Sequence, residues 1–175
     1  MKGERNAQVY QVGPHLFGTS STIPHWKTEE LIPSLKPFLL SLDTYKEKEL
    51  KIAFSLAIQP ESETQEEDHA KYRSLIEFEW ESATCRISVI PDTDSYLITI
   101  LAPNDPKEYT AYFFYGFTKG ILFLHATEAD AFVLNNILMM IYAFNTACSD
   151  TVLMHASVIK KDGKGYLFQG KSGTG

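Results

Sequence analysis

The sequence predicts an α+β fold in which a mostly antiparallel sheet packs on one long buried helix. Short segments between residues 50 and 125 alternate apolar and polar side chains, which is the period-two pattern of half-buried strands. Turn-forming residues separate these segments at short intervals and favour an antiparallel meander. A single later segment, residues 127–147, is apolar nearly all round a helix and therefore needs cover on most sides.

The first 42 residues predict only short elements. Val9–Ser20 is expected to form either a short strand pair around Gly13-Pro14 or irregular chain. Trp26–Leu42 is interrupted by prolines but spaces its leucines almost as a helix does, which predicts one or two short helical turns.

Six strands are predicted in the middle of the chain. They cover Ile52–Ile58, Ile76–Trp80, Arg86–Ile90, Tyr96–Leu101, Tyr109–Tyr115 and Ile121–His125. The acidic run Glu61–Asp68 between the first two is expected to be the solvated tip of a hairpin. This places the first two strands side by side and antiparallel.

The long helix is predicted to start at Thr127 and to end near Ala147. Thr127 is expected to cap it, with Glu128 and Asp130 in the first turn, where the helix dipole favours negative charge. Two strands follow, and Asp162-Gly163 between them is a strong hairpin signal.

Composition excludes several classes of function. The 175 residues carry a net charge of −6, which disfavours nucleic acid as a partner, because phosphate neutralisation needs clustered Lys and Arg. The N-terminus lacks the apolar core of a signal peptide, and Ala131–Phe144 is shorter than the roughly 20 residues that span a bilayer. Cys85 and Cys148 lack metal spacing and are expected to be reduced, buried thiols, with a disulfide left open. We therefore predict a cytoplasmic protein without a membrane partner.

The last six residues carry the chemical motif. A phosphate-binding loop follows the pattern Gly, four residues, Gly, Lys, then Ser or Thr. Gly170 and Gly175 match the two glycines, so the Lys and the hydroxyl residue would follow Gly175. The candidate phosphate-binding residues are Gly170, Lys171, Ser172, Gly173, Thr174 and Gly175. Glycine-rich backbone can point successive N–H groups at phosphate oxygens, although the same composition also suits a flexible tail.

Three segments together resemble the catalytic domain of HPr kinase/phosphorylase. They are Leu153–Val158 (LMHASV), Asp162–Gly165 and Gly170–Gly175, and the last also looks like ATP-dependent phosphoenolpyruvate carboxykinase, which has a related fold. The resemblance implies that the sheet leads into the first strands of a P-loop kinase domain. It divides the chain into a β-rich region, residues 1–125, and a truncated P-loop domain, residues 126–175, within one continuous globular unit.

The resemblance implies an ATP-dependent phosphotransferase that binds Mg-ATP in its full-length form. His155 would then be catalytic, with a buried structural histidine as the competing interpretation. His125 is expected to be structural. The nucleotide is one partner and an unknown protein, peptide or small molecule is the phosphate acceptor, with oligomerisation left open. For these 175 residues alone we expect no activity, no bound ATP and no metal site. The alternative is a non-enzymatic binding or assembly module with a regulatory or decayed nucleotide site.

Overall fold

A nine-stranded mixed sheet dominates the structure, a computed structural model that describes residues 6–23, 26–41, 51–63, 71–80, 82–153 and 157–168. Its strand order is β3-β1-β2-β4-β9-β8-β7-β6-β5. These strands are β1 (Asn6–Val12), β2 (His15–Ser21), β3 (Leu39–Leu40), β4 (Ile52–Pro60), β5 (Arg73–Trp80), β6 (Ala83–Val89), β7 (Tyr96–Leu101), β8 (Glu108–Phe114) and β9 (Lys119–Leu124). A separate two-stranded sheet pairs β10 (Ser157–Lys161) with β11 (Lys164–Phe168).

The helices are few within the described residues. α1 (Thr28–Leu31) and a 3-10 helix (Pro33–Phe38) lie between β2 and β3, where short helical turns were predicted. A second 3-10 helix, Glu61–Glu63, follows β4, and α2 (Asp130–Ala147) follows β9. None of the described helices has both the length and the apolar character needed to cross a bilayer.

The predicted fold class is wrong in its sheet. β4 does not form a hairpin with β5. It lies between β2 and β9 and runs parallel to both, with Phe54 opposite Phe17 and Ile58 opposite Leu122. Only β5 to β9 form the antiparallel meander. Phe54, Leu56 and Ile58 of β4 are fully buried, which a central position provides, whereas β5 is largely exposed as an edge strand.

The prediction of a sheet packed on one long buried helix is also wrong. Nine strands spaced by about 4.8 Å span about 38 Å. One helix with its side chains is about 10 Å wide and therefore covers only part of that width. The 18 residues of α2 contact the sheet around β4, and Ile32, next to α1, adds a buried side chain to the same core.

The main core joins the central strands to α2. Its fully buried side chains, each under 2 % exposed, include Tyr10, Phe54, Leu56, Ile58, Ile98, Tyr109, Phe113, Leu122, Leu134, Ile137 and Ile141. Full burial of an aliphatic or aromatic side chain contributes about 1.5–3 kcal/mol, so this cluster supplies most of the favourable free energy of the fold.

The start of α2 differs from the prediction. The helix begins at Asp130, and the residue before it, Ala129, makes no side-chain capping bond. Thr127 lies in the preceding turn, where its carbonyl accepts the N–H of Asp130 at 3.2 Å. The Asp130 carboxylate instead accepts the backbone N–H groups of His125 (3.3 Å) and Ala126 (3.1 Å). Asp130 thus ties the first turn of α2 to the end of β9.

Both cysteines are free thiols, in agreement with the predicted reduced state. Cys85 is buried in β6, and burial raises the pKa of its thiol to about 11. Cys148 is exposed at the end of α2, so the prediction of two buried thiols is wrong for this residue. Helix ends are commonly solvated because their last carbonyls need partners.

Candidate functional site

The candidate site residues from the sequence lie outside the described residues. These are Gly170, Lys171, Ser172, Gly173, Thr174 and Gly175 of the glycine loop, and His155. What the structure describes is the hairpin that leads to the loop. Its strand β11 ends at Phe168, two residues before Gly170.

The hairpin forms around the predicted turn. Lys161 pairs with Lys164, and the two residues between them, Asp162 (φ 51°) and Gly163 (φ 74°), both have positive φ. A two-residue turn of this kind favours Asp-Gly, because Asp tolerates the left-handed region and Gly occupies it without strain. Within the described residues β11 pairs only with β10 and is not a strand of the nine-stranded sheet.

The chain leaves α2 along a defined path toward β10. The N–H groups of Ser149 and Thr151 both bond to the carbonyl of Thr146, at 2.9 and 3.3 Å, and Asp150 between them has a φ of 52°. The Thr151 hydroxyl then lies 2.7 Å from Nε2 of His15, the first residue of β2. This contact fixes the exit from α2 at the sheet edge where β2 begins.

A basic cavity, here called the amino-edge cavity, opens at that same edge. Because β2, β4 and β9 are parallel, their amino ends lie together. The cavity has a volume of about 610 Å³. Its described lining residues are His15, Lys51, Ile52, Ala53, Ser55, Thr118, Lys119, Asn145 and Ser149. This set contains three basic side chains and no acidic one.

Backbone and side-chain bonds hold the walls of the amino-edge cavity together. The N–H of Ser55 bonds to the carbonyl of Thr118 at 2.9 Å, which joins β4 to the turn before β9. Asn145 donates to the carbonyls of Phe117 (2.9 Å) and Ile141 (3.0 Å) and so ties that turn to α2. The cavity is therefore bounded by three elements of the main core.

No motif in the sequence marks the amino-edge cavity. Its basic residues, His15, Lys51 and Lys119, are far apart along the chain, and the parallel pairing of β2, β4 and β9 assembles them. A prediction of that pairing would have brought His15, Lys51 and Lys119 to one edge. Each of them comes at or directly before the first residue of a strand.

A second polar cluster occupies the opposite edge of the sheet, near the start of α2. The Tyr109 hydroxyl lies 3.0 Å from the Asp105 carboxylate and 2.5 Å from the Thr127 hydroxyl, which is itself 2.9 Å from Asp105. Burial raises the pKa of Tyr109, which keeps its proton available for donation. The backbone N–H of Lys107, with these hydroxyls, lowers the pKa of Asp105. Since the groups satisfy one another, the cluster fastens two loops together.

His125 lies beside this cluster and makes structural contacts. Its side chain is only 6 % exposed, with Nδ1 2.7 Å from the Glu61 carboxylate and Nε2 3.2 Å from the carbonyl of Glu108. The contact with His125 lowers the pKa of Glu61. The ring also meets Tyr109 edge-on at 4.5 Å between centroids. These contacts join the residue after β4 to the loop between β9 and α2, in agreement with the structural role expected for His125.

Neither edge groups metal-binding side chains within the described ranges of the chain. Among the residues that the structure describes, no three or more His, Cys, Asp or Glu side chains are grouped so that they could hold a metal ion. Comparison of the chain with protein-family models, with curated proteins and with solved structures finds no match.

Proposed function

We propose that this chain is the leading part of an ATP-dependent phosphotransferase of the HPr kinase-like group. In this proposal the nine-stranded sheet precedes a P-loop domain whose first elements are β10, β11 and the glycine loop from Gly170 to Gly175. ATP binds through the backbone N–H groups of that loop, and the outer phosphates and Mg²⁺ are held by a Lys and a hydroxyl residue that follow Gly175.

The hairpin is the observation that carries the proposal. β11 runs to Phe168, so the glycines follow a strand almost directly, as a phosphate-binding loop requires. The Asp162-Gly163 turn that the resemblance includes has the backbone of a tight hairpin turn. A flexible tail would not need an ordered strand pair in front of it.

The proposed chemistry is in-line transfer of the γ-phosphoryl group. Such transfer depends on positioning and on neutralising the charge that builds on the phosphoryl oxygens. The glycine loop would supply N–H donors, and the positive N-terminal end of a following helix would add to them. His155, two residues before β10, would lie close to the transferred group.

An assay of phosphotransfer tests the proposal. The gene product that continues beyond Gly175 would be incubated with Mg-ATP, and ADP formation would be followed with and without candidate acceptors. Gly173→Asp places a side chain and a negative charge in the loop, so it should abolish ADP formation, whereas Gly163→Asn in the hairpin turn should retain it. Equal ADP formation by the wild type and Gly173→Asp would contradict ATP binding by the glycine loop. No ADP formation by either would support the binding or assembly module instead.

A further inference from the structure

We propose that the amino-edge cavity is a binding site for a phosphate-bearing small molecule. This site shares no residue with the glycine loop, and the inference does not depend on the proposed kinase activity. It rests on the charge, the open donors and the size of the cavity.

The charge of the cavity is opposite to that of the chain. The chain carries −6 overall, yet His15, Lys51 and Lys119 line this one cavity without a described acidic neighbour in its walls. Two other basic side chains are paired, Arg86 with Glu77 at 2.6 Å and Lys107 with Glu61 at 3.9 Å. Neither Lys51 nor Lys119 forms an ion pair with another described residue. The Lys119 ammonium lies 5.6 Å from the centre of the Tyr115 ring, a contact that leaves its positive charge in place. Cations without an acidic partner that line a shared concave surface attract an anion.

The cavity also presents hydroxyl donors. Ser55 and Ser149 line it, and neither side-chain hydroxyl is hydrogen-bonded to another described residue. Hydroxyl and ammonium groups together are typical partners of phosphate oxygens, because a phosphate offers several acceptors to short, charge-assisted hydrogen bonds. A neutral ligand would leave the two ammonium groups without a counter-charge.

Donors of the chain occupy one carbonyl at the helix end beside the cavity and so reduce its opposition to an anion. The carboxyl end of a helix carries partial negative charge on its unpaired carbonyls. Here the carbonyl of Thr146 accepts the N–H groups of both Ser149 and Thr151, so this carbonyl is already neutralised by donors of the chain.

The size of the cavity fits a small organic phosphate better than a lone ion. Its volume of about 610 Å³ lies within the range of about 300–1,000 Å³ that is usual for small-molecule sites. Ile52 and Ala53 add an apolar part to the wall. A ligand with a phosphate and a carbon skeleton would therefore use both the basic and the apolar lining.

Calorimetric titration of the 175-residue chain at low ionic strength tests the site. The probes are ribose 5-phosphate, ribose and inorganic pyrophosphate. We expect ribose 5-phosphate to bind and ribose not to bind. Pyrophosphate has no carbon skeleton, so it should bind more weakly than ribose 5-phosphate if the apolar wall contributes to binding. Equal affinity for the two would contradict a contribution from the apolar wall.

Variants locate the binding. The double variant Lys51→Gln/Lys119→Gln should weaken ribose 5-phosphate binding about tenfold or more, since two charge-assisted contacts are lost. The matched control Lys36→Gln/Lys71→Gln removes the same charge from two exposed lysines elsewhere and should change the affinity less than twofold. Gly170→Asp/Gly173→Asp, which blocks the glycine loop, should leave the affinity unchanged.

Three results would overturn the proposal. The first is no binding of ribose 5-phosphate at millimolar concentration. The second is an equal loss in the matched control, which would mean diffuse electrostatic attraction. The third is loss of binding in the glycine-loop variant alone. If Lys51→Gln/Lys119→Gln does not fold, Ser55→Asp at the exposed face of β4 should repel the phosphate and abolish binding, and unchanged binding in Ser55→Asp would contradict the site.

Discussion

Replacing Gly120 with alanine should destabilise the fold, because the added methyl group would collide with Phe113. Gly120 lies in β9 opposite Phe113 of β8. An ideal Cβ at Gly120 would stand 2.6 Å from Cδ1 and 3.0 Å from Cζ of the Phe113 ring. The ring is fully buried, and it packs against Phe117 at 5.6 Å between centroids, so it has little room to turn away.

The expected loss follows from two opposing effects. Overpacking a core costs about 1–3 kcal/mol. Alanine also gives the unfolded chain less conformational freedom than glycine does, which offsets about 0.4–1 kcal/mol of this cost. We expect a net loss of about 1–2 kcal/mol, which lowers the Tm by about 2–8 °C for a chain of this size.

Gly18→Ala in β2 is the matched control. Gly18 is also a buried strand glycine, but the nearest heavy atom to its ideal Cβ is Cδ1 of Ile52 at 3.7 Å, an ordinary contact. This variant should be as stable as the wild type or slightly more stable. Urea unfolding followed by circular dichroism would compare both with the wild type.

A double-mutant cycle tests the cause. Phe113→Leu removes the ring, so Gly120→Ala should cost less in that background than alone. Gly120→Ala that is as stable as Gly18→Ala, or a cost unchanged by Phe113→Leu, would refute the close packing of β8 against β9.

Three further predictions concern the polar cluster and the cysteines. Tyr109→Phe should lower the free energy of unfolding by about 1–3 kcal/mol, because it leaves the partners of a buried hydroxyl unpaired. Tyr115→Phe is the control: this residue is 70 % exposed, and the change should have little effect on urea unfolding. Asp105 has a lowered pKa when folded, so its carboxylate stabilises the fold above its ordinary value of 3.8. The wild type should therefore have a higher Tm than Asp105→Asn at pH 7, and this difference should disappear as the pH falls through the lowered pKa. A difference that does not change with pH would contradict this. A thiol reagent at pH 8 should modify only Cys148 in the folded chain, because Cys85 is buried and its thiol has a pKa of about 11. Both cysteines should react in guanidinium. Two fast-reacting thiols in the folded chain would contradict the burial of Cys85.

Local patterns in the sequence predicted local structure correctly. The strands from β5 to β9 lie close to the segments predicted from short apolar runs bounded by turn residues, and the hairpin of β10 and β11 follows from Asp162-Gly163, because neighbouring residues decide both. The position of β4 could not be predicted in this way. Its burial pattern fits a central strand, yet its partners β2 and β9 are distant in sequence, and a strand's own residues do not specify such neighbours.

The two candidate sites also differ in how far the sequence alone can predict them. A glycine loop is a continuous motif and can be read directly from consecutive residues, although Gly170–Gly175 lies outside the described part of the chain. The amino-edge cavity is discontinuous, and its lysines look like ordinary solvated residues until the parallel strands bring them together. Asp130 was expected to interact with the helix dipole, but its carboxylate bonds to N–H groups of the preceding loop, a contact that depends on the tertiary path of the backbone.

The affinity for Mg-ATP is the most direct measure of the proposed function. It would be determined by calorimetry for the proposed longer protein, which would include residues after Gly175, for its Gly173→Asp variant and for the 175-residue chain. We predict micromolar binding by the first and much weaker binding by the other two, because the loop needs both its glycines and the residues that follow them. Any weak binding that remains in the other two should be lost in the Lys51→Gln/Lys119→Gln variant, which would assign it to the amino-edge cavity. Equal affinity in all three proteins, or no binding by the longest, would contradict a phosphate-binding loop at Gly170–Gly175.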